Sequence, residues 1–153
     1  MQEQEHIDFF YNYGVQKFTK RLQKAVNADD LDLLKYFASK YDLSYAVNIP
    51  DRCEMTLLHC AMDGDGNLSI VKWLSKNYNL DQSITHQDCW GLTPLHRSID
   101  CGDLEIFKWF NKKYDMSVSV NIQDDDGRTP LHYAVRDNNL EVVKFLIEKY
   151  SNN

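Results

Sequence analysis

No stretch of this chain carries more than a few apolar residues in succession, so nothing in it is expected to span a bilayer. Basic residues are the minority: 17 Lys and Arg stand against 23 Asp and Glu, a net charge of −6. That balance weighs against nucleic acid or an anionic membrane as the main partner. Four cysteines (Cys53, Cys60, Cys89, Cys101) show no CxxC spacing, so free thiols and a reducing compartment are expected. The opening residues MQEQEHIDFF lack a basic region followed by an apolar stretch, and no secretory signal is expected. The chain has no glycine-rich phosphate loop, no nucleophile elbow and no HExxH. It is therefore read as non-enzymatic, with no catalytic residue, cofactor or metal. Apolar residues still make up 43% of the 153, enough for the core of one domain.

What the chain does have is a repeat. The stretch 91–114, GLTPLHRSIDCGDLEIFKWFNKKY, reads as two helices. Thr93 can cap the first with its hydroxyl, and Pro94 suits the first helical position, where a missing N–H costs nothing. Leu95 and Ile99 stand four apart on one face. Gly102 suits a stop that needs positive φ. In the second helix Leu104, Ile106, Phe107 and Phe110 fall on one side, with Lys108, Lys112 and Lys113 mostly on the other. The same pattern recurs along the chain. TPLH stands at Thr93–His96 and Thr129–His132, and TLLH at Thr56–His59. The second helices begin at Leu31, Leu68, Leu104 and Leu140, 37, 36 and 36 residues apart. Leu, Lys and Tyr hold the same places in all four. Such a period marks a stacked solenoid, in which each unit buries its apolar face only against its neighbours.

The segment TPLHYA at Thr129–Ala134 matches the signature of the ankyrin repeat family, which the chain resembles over about residues 20–150. The resemblance implies an all-α solenoid of stacked helix-turn-helix units with β-hairpin-like loops projecting to one side. A capping helix is expected at 1–19, then a repeat domain at 20–153 with copies at about 20–47, 48–84, 85–120 and 121–150. Ile7, Phe10, Tyr11, Val15, Phe18 and Leu22 recur at helical steps, so the cap is expected to be amphipathic and broken near Gly14. The first copy has lost TPLH. The second has Glu54 in place of the turn glycine and Leu57 in place of proline. The period exceeds the family's usual length of about 33. The extra residues follow each second helix, at YDLSY, YNLDQ and YDMSV, which predicts longer second helices and a looser lead into each hairpin.

Other columns have structural readings. Asp51, Asp88 and Asp124 align in the hairpins, where Gly91 and Gly127 suit a turn of positive φ. In the family, the histidine matched by His59, His96 and His132 bonds the hairpin backbone. That reading is preferred to a metal site, since no carboxylate or cysteine recurs beside it at ligand spacing. Lys35, Lys72, Lys108 and Lys144 read as the solvated face of the second helices, and Tyr36, Trp73, Trp109 and Phe145 as packing between repeats. Phe145 and Ile147 of the last helix are expected to be exposed or covered by a further contact.

The resemblance implies a protein-binding module that contacts its partner through hairpin tips and the concave helix face. The matching positions are Arg52 and Met55 in the second copy, and Trp90, Leu92 and Arg97 in the third. In the fourth they are Asp125, Asp126, Arg128, Tyr133 and Arg136. An exposed loop tryptophan adds little to a fold, and Trp, Tyr and Arg often dominate interfaces, so Trp90 and Tyr133 are the expected hot spots. The alternative is that Trp90 folds back onto its own hairpin. Asp125 and Asp126 favour a partner with a basic rim. The expected state is a monomer in the cytoplasm, free of nucleic acid and membrane. The richness in Lys, Asn, Asp and Tyr hints at an AT-rich genome and at an effector acting on a host protein, in the host's cytoplasm. The other functional reading is a targeting or regulatory segment of a longer enzyme.

Overall fold

The computed structural model describes residues 14–63, 67–100, 102 and 104–151. The expected cap at 1–19 therefore lies largely outside the described residues. Gly14, at φ 69°, leads into α1 (Val15–Asn27), which buries Phe18, Leu22, Ala25 and Val26. This helix runs unbroken across the point between residues 19 and 20 where the sequence reading ends the cap, and it forms a pair with α2 (Leu31–Lys40).

Three more pairs follow. They are α3 (Leu57–Met62) with α4 (Leu68–Asn77), α6 (Pro94–Asp100) with α7 (Leu104–Lys113), and α8 (Pro130–Arg136) with α9 (Leu140–Tyr150). A short helix α5 (Asp81–Ile84) separates the second and third pairs. The first helices form the spine: α1 packs on α3, α3 on α6 and α6 on α8, while each second helix packs on the first helix of its own pair. The reason is visible in α7, which buries Ile106, Phe107 and Phe110 on one side and leaves Lys108, Lys112 and Lys113 in solvent. Such a stripe is satisfied only by neighbours, so the pairs stack. The described residues contain no β-strand, and the hairpin-like loops are turns.

The second helices are not lengthened as expected. They stop at Lys40, Asn77 and Lys113, just before Tyr41, Tyr78 and Tyr114, the first two of which are extended. The extra residues fold instead into compact turns: a bonded turn at 43–47, α5, and a 3₁₀ turn at Ser119–Asn121. Each turn sends two apolar side chains four residues apart into the core, namely Leu43 with Val47, Leu80 with Ile84, and Met116 with Val120. Burying that pair favours a new turn over a longer helix, which would leave both in solvent.

The aromatic column divides. Phe145 meets Phe107 of the preceding pair edge-on at 5.3 Å, and Trp73 meets Tyr78 at 5.7 Å. Tyr36, expected between repeats, is exposed instead, as are Ile147, Val135 and Leu140 on the last pair. The four aligned lysines are exposed.

Candidate protein-interaction surface

Three loops, at 51–56, 88–93 and 124–129, repeat one turn. In each, an aspartate Oδ1 accepts two backbone N–H groups. Asp51 takes those of Cys53 (2.8 Å) and Met55 (3.0 Å). Asp88 takes those of Trp90 (2.9 Å) and Leu92 (3.0 Å), and Asp124 those of Asp126 (3.0 Å) and Arg128 (2.8 Å). Gly91 and Gly127 take φ of 75° and 77° at the turn, and Glu54 is held at 58° in the same place. At Gly91 a side chain also has no room, because a Cβ would stand 2.6 Å from the Asp125 nitrogen.

Successive loops are joined at their tips. The Cys89 N–H donates to the Cys53 carbonyl (2.9 Å), and the Asp125 N–H to the Trp90 carbonyl (3.2 Å). The aligned histidines make a second join. Nδ1 of His59 accepts from the Thr56 N–H (3.2 Å), and its Nε2–H donates to the Leu92 carbonyl of the next loop (3.1 Å). His96 does the same between Thr93 and the Arg128 carbonyl (3.2 Å). Since a carbonyl only accepts, Nε2 carries the proton and the ring is neutral. His132 keeps its bond to Thr129 but is exposed. His59 and His96 are therefore clasps between copies. Among the described residues no group of three or more His, Cys, Asp or Glu is placed to hold a metal.

The clasps carry a pH dependence. Burial holds the His59 imidazole at about 4, against an ordinary 6.5, outweighing the Leu92 carbonyl that pulls the other way. Burial lowers His96 too. A lowered histidine binds protons more readily when unfolded, so its stabilisation is complete above about pH 6.5 and is lost as pH falls towards 4. Between pH 7 and pH 5, His59 alone is expected to remove about 2 kcal/mol. Urea midpoints at the two pH values check this, and a His59→Gln variant should show a smaller drop. A flat profile would refute the neutral clasp.

The expected contact residues fall into two groups. Nine residues beyond Asp88 and Asp124 stand Arg97 and Tyr133, and both bind the second oxygen of that aspartate. Arg97 donates from Nε (3.0 Å) and Nη2 (2.5 Å) to Asp88 Oδ2, and from Nη1 to Asp63 (3.1 Å). These acceptors outweigh desolvation and raise its pKa. The Tyr133 hydroxyl donates to Asp124 Oδ2 (2.6 Å), and the residue is only 7% exposed. Burial and Asp124 push its phenol up to about 12. Burial would raise Asp124, but the bonds from Tyr133, Arg128 and Asp126 outweigh it and hold that carboxyl low. The reading of Tyr133 as an exposed hot spot is thus corrected, because its ring is buried beside His96 and its hydroxyl is used within the turn. Arg97 is likewise a buttress. Met55 and Leu92 are half-buried against the core.

Arg52, Trp90, Asp125, Asp126, Arg128 and Arg136 do face solvent. Asp126 pairs with Arg128 (2.7 Å), and Arg136 pairs with Asp100 and Asp137. Trp90 is 55% exposed, with the Arg97 guanidinium 5.6 Å from its ring centroid. Its ring lies against Arg97 of the helix that follows the hairpin and keeps half its surface open. The spacing of nine residues from turn aspartate to a donor side chain was readable in the sequence and was missed.

A family model described as ankyrin repeats (three copies) matches residues 22–124 and 65–153. Among curated proteins no match is found. The family match covers most of the sequence, and with its clasped helix pairs the chain belongs to the ankyrin repeat family.

Proposed function

We propose that the protein binds a partner protein through its hairpin tips, centred on Trp90. Ankyrin repeats are generally protein–protein interaction modules, and the observation that carries this reading is Trp90 itself. Its indole is half open to solvent at a loop tip, and beneath it Arg97 is pinned by two carboxylates. A preorganised aromatic loses little freedom on binding and offers a large contact area. Asp125, without an ion pair among the described residues, stands in the next loop and favours a basic rim on the partner. No helix among the described residues is long and apolar enough to cross a membrane. A role as an effector on a host protein in the cytoplasm fits the Lys-, Asn-, Asp- and Tyr-rich composition.

The test is a paired pull-down from eukaryotic cytosol, with wild-type and Trp90→Ala baits compared by mass spectrometry. The specific partner should be depleted on the variant, with an affinity loss of about 2 kcal/mol and an unchanged melting temperature. Equal affinity of both baits for every captured protein would move the binding face elsewhere. A second reading, a targeting or regulatory segment of a longer enzyme, is favoured by the exposed Val135, Leu140 and Ile147 on the last pair, which an adjoining domain would cover. The natural gene sequence around this stretch separates the two.

A further inference from the structure

We propose that Cys53 and Cys89 are a redox pair, closing reversibly into a disulfide that fastens the second hairpin tip to the third. Both thiols are exposed, and they stand on neighbouring tips. Their backbones are already joined, since the Cys89 N–H donates to the Cys53 carbonyl at 2.9 Å. With standard bond lengths that bond limits the Cα separation to about 6.8 Å, inside the range that disulfides span. The Cys53 side chain is also near enough to Cys89 to help hold its thiol above the ordinary value, after desolvation. A pair of cysteines at a loop tip packs no core, so the fold does not need both of them there.

Cys60 is a contrast. It is buried, and burial followed by Asp51 and Asp63 pushes its thiol up to about 12, so it resists ionisation. Cys89 is also held above its ordinary value, by desolvation first and then by Cys53, which keeps it protonated until its neighbour reacts.

The oxidant is a small disulfide such as oxidised glutathione. The Cys53 thiolate attacks one reagent sulfur, the reagent S–S bond breaks, and one reagent thiolate leaves. Cys89 then gives up its proton, its sulfur attacks Sγ of Cys53 in the mixed disulfide, and the second reagent thiolate leaves. Two protein thiols lose two electrons and two protons, and the reagent becomes two thiols. The second sulfur stands on the neighbouring tip whose backbone is bonded to that of Cys53, so the mixed disulfide is expected to be short-lived. The product encloses the residues between Cys53 and Cys89 in a covalent loop. It also fixes the backbone from which Trp90, the next residue, projects.

The experiment treats the full chain with oxidised glutathione, alkylates the remaining thiols, and digests with trypsin without reduction. The expected product joins the peptide Cys53–Lys72 to the peptide Asn77–Arg97. Fragmentation should place the bond on Cys53, with Cys60 alkylated after unfolding, and dithiothreitol should abolish it. The melting temperature of the oxidised protein should rise by roughly 5–10 °C, with no rise for Cys53→Ser or Cys89→Ser. Stable glutathione adducts on both cysteines without a cross-link would overturn the proposal. So would a bond mapped to Cys60 or Cys101, or an oxidised melting temperature equal to the reduced one.

Discussion

In urea unfolding, Leu95→Ala is expected to lose roughly 2–5 kcal/mol, the range for truncating a fully buried leucine. Leu95 has no exposed surface and lies on α6, which packs between α3 on one side and α8 on the other. Neither neighbour can close over the gap without giving up its own packing, so most of the cavity should persist. From the repeat alone, Leu131→Ala should cost the same, because Leu131 holds the same place in TPLH. Here the structure departs from that symmetry. Leu131 is only half-buried against the core, and no described element covers the outer side of its helix pair. Its truncation should cost about half as much or less, since water already reaches the site. If both variants lose under about 1 kcal/mol, the packing register is wrong. If the two losses are equal, the last pair is covered in solution.

Arg97→Ala is expected to cost about 3 kcal/mol, although its position looked like a variable surface site. Its side chain is 11% exposed, and the Asp88 carboxylate beneath it is fully enclosed. Removing the guanidinium leaves that carboxylate with its two backbone N–H donors and no cation. A buried charge stripped of its partner is costly even where the intact pair contributes little. The pedestal under Trp90 is lost in the same step. Arg136→Ala serves as the control. Its partners Asp100 and Asp137 are partly solvated, so it should cost under about 1 kcal/mol. If Arg97→Ala leaves the urea midpoint unchanged while lowering partner affinity, Arg97 is a contact after all.

Periodicity was the most legible feature of this chain. The recurrence of Leu, Lys and Tyr from Leu31 to Tyr150 located the four second helices, and the TPLH motif located three first helices. Both signals are local, because a helix face is written at spacings of three and four. Less legible was the fate of the extra residues. YDLSY and YNLDQ look like helix extensions, but Leu43 and Val47, like Leu80 and Ile84, could reach the core only by starting a new turn. That choice depends on where the core lies, which no window of sequence contains.

The repeat, the helix pairs and the stacking follow from residue spacing alone, because each pair carries an apolar stripe it cannot bury without a neighbour. Which polar side chains remain free for a partner depends instead on how the folded pairs sit against one another. Arg97 and Tyr133 share the alignment column of Cys60, yet the first two bend back to an aspartate nine residues earlier. Likewise Cys53 and Cys89, at different positions within their copies, meet because neighbouring tips are bonded one residue out of step. Such contacts arise from the offset between stacked loops. That offset is set by the packing of whole helix pairs, and no local spacing of residues encodes it.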